Sequence, residues 1–265
     1  MSLALLDGHP ATADDLRALA LSNYGHFTAM QVRNRAVQGL ALHVARLQAG
    51  TQELFDIDLP RERIVAALAE AIAQGPADAS LRLTVFARAF DYRAPLRSVQ
   101  PDLLVTSGPP TSSEKPAIRV RSFEFVRPLP HIKHVGTFPL FHLRRQAQRD
   151  GFDDALFVTG EGRMVEGSIW NIGFWDGESV IWPTGPALRG TSEQLLQQGL
   201  AACGVAQRRE PVGMADIAGF RSAFATNASG FQSVVAIDHC ALETDQRLLA
   251  HLTAALASQP WTPAA

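Results

Sequence analysis

The sequence is short of several things, and each shortage removes a class of explanation. No apolar run approaches the roughly 20 residues that a membrane-spanning helix needs, so no such span is expected. The opening stretch, MSLALLDGHPATADD, has neither a basic n-region nor a long apolar segment, and it does not read as a signal peptide. Only two cysteines occur, Cys203 and Cys240, far apart and in no metal-ligand spacing. They are expected to be reduced and mostly buried, as in a cytoplasmic protein, and no metal site is expected. The formal net charge is only −2, which gives no reason to look for nucleic acid or an anionic membrane as partner. There is no P-loop, no zinc-type Cys/His spacing and no GxSxG turn. Gly160, Gly162 and Gly167 do not make a dinucleotide loop, because an apolar strand and a hairpin follow them instead of a helix.

Lysine is the most telling shortage. Lysine and arginine total 24, yet only Lys115 and Lys133 are lysines. Arginine stays protonated, whereas a desolvated lysine can lose its proton and attack a carbonyl. The ordinary reading of a lysine is a solvated surface charge. Lys115 sits in a Pro/Ser-rich loop, GPPTSSEKP, and keeps that reading.

What is present is ordinary for a soluble enzyme: 46% hydrophobic and 19% charged residues in 265, enough for a sizeable core. Periodicity and turn residues predict a helix over 11–22 and a hairpin over 26–39 around Arg33-Asn34-Arg35. Helices over 40–55 and 61–76 follow, then strands over 81–90, 102–107 and 118–125. Arg82 and Arg88 fall in the first of these strands, where a buried guanidinium would need an anion. A helix is expected from near Phe138, then strands over 154–158 and 164–175, and an Asp-Gly hairpin turn at 175–178. A helix from Ser192 to about Cys203, a strand AQRREPV, a short helix near 214–220, strands SAFATNA and QSVVAID, and a helix capped by Thr244 complete the chain. Strands come in runs, which predicts an α+β fold with mostly antiparallel or mixed sheets. The Pro/Ser-rich loop is the expected crossing between a domain over 1–110 and one over 117–265.

Three features between His131 and Ser192 bear on chemistry. Lys133 lies among His131, Ile132, His134 and Val135, a setting that desolvates an amine as a Schiff-base lysine requires. Glu166 interrupts an apolar strand pattern and so needs a partner, for which a pyridinium nitrogen is suited. Gly190-Thr191-Ser192 opens a helix, where free N–H groups, hydroxyls and the helix dipole suit an anion. Each also has a plainer reading: a surface amine, a strand-end carboxylate, an N-cap. Together they are the parts of a pyridoxal 5′-phosphate site.

Read in order, these residues resemble the class IV, or fold-type IV, pyridoxal-phosphate enzymes, from about Gly25 to Asp238. Branched-chain aminotransferases, D-amino-acid aminotransferases and aminodeoxychorismate lyases belong to that family. The family's early hairpin and His-x-x-Arg-Leu helix are matched by GHFTAMQV and by His43 to Leu47, and the resemblance gives Arg46 to the cofactor phosphate. Ile132-Lys133 matches the segment of the Schiff-base lysine. Glu166 and Asn171 match the pyridine-nitrogen glutamate and the asparagine after it. Leu188-Arg189-Gly190-Thr191-Ser192 resembles the phosphate cup, and Thr226-Asn227-Ala228-Ser229 a second phosphate-side turn. Arg82 lies on the strand that carries a substrate-side arginine in branched-chain enzymes. Phe138 stands where aminotransferases often carry a tyrosine near the cofactor's phenolic oxygen, and it cannot hydrogen-bond that oxygen. Phe27-Thr28 and Asn227-Ala228 lean towards the lyase branch.

The resemblance implies a small N-terminal α/β domain and a larger C-terminal domain with the cofactor between them, and a homodimer. It implies an aminotransferase that uses an amino donor and a keto-acid acceptor. The alternatives are a 4-amino-4-deoxychorismate lyase, which eliminates pyruvate, and a family member that binds cofactor without turnover.

Overall fold

The computed structural model describes residues 3–112 and 114–264. It separates into two compact units: Met1–Thr111 with Ile132–Gly136 and Pro260–Ala265, and Ser112–His131 with Thr137–Gln259.

The first unit opens with strands β1 (Ala4–Leu6) and β2 (His9–Pro10), which the sequence patterns did not disclose because each is too short to alternate. Helix α1 covers only Arg17–Ser22. Asp14 and Asp15 lie ahead of it, and Asp15 instead accepts hydrogen bonds from the backbone and hydroxyl of Thr12. The hairpin β3 (Gly25–Arg33) and β4 (Ala36–Gln38) turns at Asn34 and Arg35, both at positive φ, the geometry that matches strand twist in two-residue hairpins. Helices α2 (Leu40–Phe55) and α3 (Arg61–Gln74) bury Leu40, Val44, Leu47, Ile64, Leu68 and Ile72. These join residues of β3, β5 (Ala79–Phe86) and β6 (Asp102–Gly108) in one core. The sheet runs from the chain's last strand, Trp261–Pro263, through β4, β3, β5, β6 and β1 to β2. All its pairings are antiparallel.

Arg88 lies beyond the end of β5, not within it. It is half-exposed and pairs with Asp102 at 3.0 Å and with Asp15 at 2.7 Å, so its anions come from the protein.

The second unit holds β7 (Ile118–Glu124), α4 (Phe138–Arg149) and β8 (Asp154–Val158). The run expected as one strand over 164–175 is two, β9 (Met164–Gly167) and β10 (Asn171–Trp175), with a bend between them. The cause is local: a Cβ at Gly167 would fall inside the Trp170 indole, so the chain folds Trp170 back over residue 167. Strand β11 (Ser179–Pro183) returns from the Asp-Gly turn, where Asp176 Oδ1 accepts from the N–H groups of Glu178 and Ser179. Helix α5 (Thr191–Ala202) follows, then β12 (Ala206–Glu210), β13 (Ser222–Asn227), β14 (Gly230–Ile237), β15 (Cys240–Ala241) and α6 (Gln246–Ala257). The sheet order is β12-β11-β10-β13-β14-β7-β8-β9, with β15 beside β14. Its pairings are mixed: β11–β12, β14–β7 and β7–β8 are parallel, and the others antiparallel. The N-cap of α6 is Asp245, whose side chain accepts from Leu248 N–H, and not Thr244. Cys203 and Cys240 are both exposed free thiols, contrary to the expected burial: each falls at the end of an element instead of on a core face.

No helix among the described residues is long and apolar enough to cross a membrane.

Candidate active site

Lys133 belongs to the first unit. Its segment lies along the start of β3: Phe27 N–H donates to Lys133 C=O at 2.9 Å, and Val135 N–H donates to Gly25 C=O at 3.0 Å. His26 and His134 form a bridge between the same two stretches. A segment far from β3 in sequence is thus held to it by backbone hydrogen bonds on either side of His134, and Ile132 and Val135 are buried beside Lys133. Lys133 Nζ stands 4.9 Å from the centre of the Phe27 ring, and the Arg82 guanidinium carbon 3.6 Å from the same centre. Phe27 and Thr84 oxygen are therefore the neighbours of Arg82, whose Nε donates to Thr84 Oγ1 at 3.1 Å.

Behind them, His43 is buried and its Nδ1 lies 2.6 Å from Thr28 Oγ1. Burial lowers its pKa to about 3, assisted by the positive charges of Arg46 and Lys133. The imidazole is neutral, and Arg46 and Lys133 both act on it electrostatically. His26, bonded through Nε2 to Thr51 Oγ1 at 3.0 Å, is likewise lowered by burial to about 4. Phe27, Arg46, Arg82 and Lys133 are thus neighbours in one unit, with His26, Thr28 and His43 as polar support that the sequence pattern did not single out.

Glu166, Asn171, Thr191, Ser192, Asn227 and Ala228 belong to the second unit. Glu166 is 2% exposed, and its partner is Arg127, itself 4% exposed. Arg127 Nε donates to Glu166 Oε1 at 3.1 Å, and Nη2 lies 3.0 Å from the same oxygen. Glu166 Oε2 accepts from Leu188 N–H at 3.3 Å. Sequence reasoning asked what Glu166 needs and missed Arg127. The signal was available: an arginine set between Val126 and Pro128, on an apolar stretch, also needs an opposite charge.

The start of α5 is built from close approaches. Gly190 is its N-cap, and a Cβ there would collide with Asn171 Oδ1. Asn171 Nδ2 donates to Leu188 C=O at 2.7 Å, which fixes the strand leading into the helix. Gly190 N–H donates to Glu193 Oε2 at 3.3 Å. Thr191 is 4% exposed, yet its hydroxyl makes no hydrogen bond among the described residues. Ser192 Oγ donates to Asn227 C=O at 2.6 Å and so ties the helix to the β13–β14 turn that includes Ala228. In that turn Asn227 Oδ1 accepts from Ser229 N–H and Oγ, and from Lys115 Nζ at 3.2 Å. Lys115 is therefore not the solvated lysine expected from its loop; it is half-buried and bonded to the turn. Phe138, the first residue of α4, is 74% exposed and stacks on His142.

A seven-stranded antiparallel sheet with two helices in its core, followed by a nine-stranded mixed sheet, is the architecture of fold-type IV aminotransferases. A branched-chain aminotransferase from Thermoproteus uzoniensis superposes with a TM-score of 0.85 at 18% identity, covering 96% of this chain and 94% of that one. The PLP-bound form of a hypothetical aminotransferase from Mycobacterium tuberculosis gives 0.77 at 21% identity over 97% and 98%. A proposed 4-amino-4-deoxychorismate lyase from Legionella pneumophila gives 0.77 at 18% identity over 89% and 91%. No curated protein sequence matches. Residues 25–237 match the family model for amino-transferase class IV, and the chain belongs to that family. The cofactor of the family is pyridoxal 5′-phosphate.

The second unit fits that group. Thr191, a residue 4% exposed at a helix N-terminus whose hydroxyl makes no hydrogen bond among the described residues, suits its phosphate. A buried carboxylate held in place by an arginine suits its ring nitrogen.

Proposed function

We propose that the chain is a pyridoxal-phosphate-dependent aminotransferase acting on a small amino acid or amine, with a keto acid as acceptor, and that Lys133 is its catalytic residue. The observation that carries this reading is the bond from Phe27 N–H to Lys133 C=O, with the Lys133 amine and the Arg82 guanidinium both beside the Phe27 ring. When bound, pyridoxal phosphate supplies the electron sink that makes the substrate's α-C–H acidic. Lys133 Nζ is the group that anchors the cofactor and then moves that proton. Arg46, Thr191, Ser192, Asn227 and Ala228 hold the phosphate, and Glu166 faces the pyridine nitrogen. Asn171 fixes the strand before the phosphate helix through Leu188 C=O. Arg82 binds a substrate carboxylate beside Phe27, and Phe138 lies on the substrate side.

In the same reading residues 1–110 and 117–265 are the two domains, the protein acts in the cytoplasm, and it works as a homodimer. A second reading is elimination of pyruvate from 4-amino-4-deoxychorismate. It is favoured by Phe138, which has no hydroxyl, and by the Phe27–Thr28 pair, whose threonine is bonded to His43.

Purified protein is expected to take up pyridoxal phosphate with a visible absorption band that is absent in Lys133→Ala. Mixing with a panel of L- and D-amino acids is expected to convert that band to the pyridoxamine-phosphate spectrum. Pyruvate release from aminodeoxychorismate without conversion by any amino acid would select the second reading. No cofactor uptake by the wild type would end both.

A further inference from the structure

Lys115 is the other lysine, and its surroundings are incomplete. It reaches the β13–β14 turn from the loop ahead of β7, and Nζ donates to Asn227 Oδ1 at 3.2 Å and to Ser229 Oγ at 3.0 Å. Both acceptors are neutral, and no carboxylate pairs with Lys115 among the described residues. Arginines of the same unit find anions: Arg127 has Glu166, Arg189 has Glu193 and Arg208 has Asp176. A half-buried ammonium loses hydration, and neutral oxygens return only part of it. That loss lowers the Lys115 pKa to about 8. An ammonium carries three N–H donors. Two are used here, and the third has no acceptor among the described residues.

The turn that receives Lys115 is also joined to α5. Ser192 Oγ donates to Asn227 C=O, so the asparagine that accepts from the amine is joined to the helix start, where the Thr191 hydroxyl makes no hydrogen bond among the described residues. A cation with a spare donor and a helix N-terminus with a spare hydroxyl meet at one asparagine.

We propose that Lys115, with Asn227 and Ser229, forms an oxyanion site continuous with the start of α5, whose ligand is a phosphate or carboxylate group bound through the third N–H of Lys115. The proposal rests on the reading of Thr191, Ser192 and Asn227 as anion-binding residues, and adds to it the only lysine charge in that unit. The phosphate of the cofactor and the carboxylate of a substrate share this chemistry.

With two lysines in the chain, ¹³C-lysine labelling gives two Cε signals, and Lys115→Met assigns them. Inorganic phosphate added to wild-type apoprotein is expected to shift the Lys115 signal and raise its titration midpoint. Phosphate affinity is expected to fall about tenfold in Lys115→Met, the scale of one charge-assisted hydrogen bond, and to recover in Lys115→Arg. Parallel titrations identify the source. Weakened pyridoxal-phosphate binding with unchanged pyridoxal binding assigns the site to the cofactor phosphate. Weakened oxo-acid binding to the pyridoxamine-phosphate form, with cofactor affinity intact, assigns it to a substrate carboxylate. A wild type that takes up no cofactor but binds phosphate through Lys115 would end the proposed function and leave the anion site standing. A Lys115 signal that ignores all three anions overturns the site, and Lys115→Arg, which keeps the charge, assigns the signal if Lys115→Met does not fold.

Discussion

Arg127 and Glu166 pair inside the second unit with two guanidinium nitrogens 3.0 and 3.1 Å from one carboxylate oxygen. The other oxygen accepts from Leu188 N–H at 3.3 Å. Removing one charge of a buried pair leaves the other uncompensated, at a cost of about 3–5 kcal/mol, whereas replacing both by apolar side chains is often close to neutral. Arg127→Met and Glu166→Leu are each expected to be strongly destabilising in urea unfolding, and the double variant less so than their sum. Additive losses would show that the pair is not coupled as the geometry implies.

The first unit carries an acid sensitivity. His26 and His43 have pKa values near 4 and 3 when folded, both because burial disfavours the imidazolium. In the unfolded chain both titrate near ~6.5. As pH falls below that value the unfolded state takes up protons that the folded state refuses, so stability drops as pH falls from ~6.5 towards 4. Each group adds a slope of about 1.4 kcal/mol per pH unit in that window. His43→Gln cannot titrate, and the slope between pH 4 and 6 is expected to lessen by about one proton. An unchanged slope would mean that His43 is not buried in its neutral form.

Two glycines are fixed by contact and not by backbone angle. A Cβ at Gly167 falls within the Trp170 indole, which is itself buried, so Gly167→Ala overpacks the bend between β9 and β10. A loss of about 2–3 kcal/mol is expected in thermal unfolding. At Gly190 the collision is with Asn171 Oδ1, on the same amide whose Nδ2 donates to Leu188 C=O. Gly190→Ala is expected to unfold nearly as the wild type does and to bind pyridoxal phosphate about tenfold more weakly, by displacing one hydrogen-bond set. Equal losses at both sites would contradict this division.

These features differ in how far they could be read ahead of the fold. Helices over 40–55 and 61–74 follow from long apolar stripes, and the Asn34-Arg35 and Asp176-Gly177 turns from their residues. Short strands such as Ala4–Leu6 and Trp261–Pro263 carry too few residues to show a period, and they form because a neighbouring strand offers an edge. The chain segments that bear Lys133 and Glu166 stood out by composition alone. Their partners did not, because Arg127 is 39 residues from Glu166 and Phe27 more than a hundred from Lys133. Lys115 was misread for the same reason: a Pro/Ser-rich loop says solvent, and only the fold brings it to Asn227, 112 residues away.

The Phe27 ring carries two cations, Arg82 at 3.6 Å and Lys133 at 4.9 Å from its centre. Like charges so close repel, and burial lowers the pKa of Arg82. The ring's negative face offsets about 0.5–2 kcal/mol of this for a cation stacked on it. An anionic ligand would offset more, which is why Arg82 is assigned to a substrate carboxylate. Arg82→Met is expected to raise KM for the oxo-acid acceptor about tenfold or more with a smaller change in kcat, and to leave the affinity for pyridoxal phosphate unchanged. Phe27→Leu keeps the apolar contact and removes the ring face, so it should lower kcat through a misplaced Lys133 amine. A KM for oxo acid that does not respond to Arg82→Met would take the carboxylate away from Arg82, whatever Lys133 does.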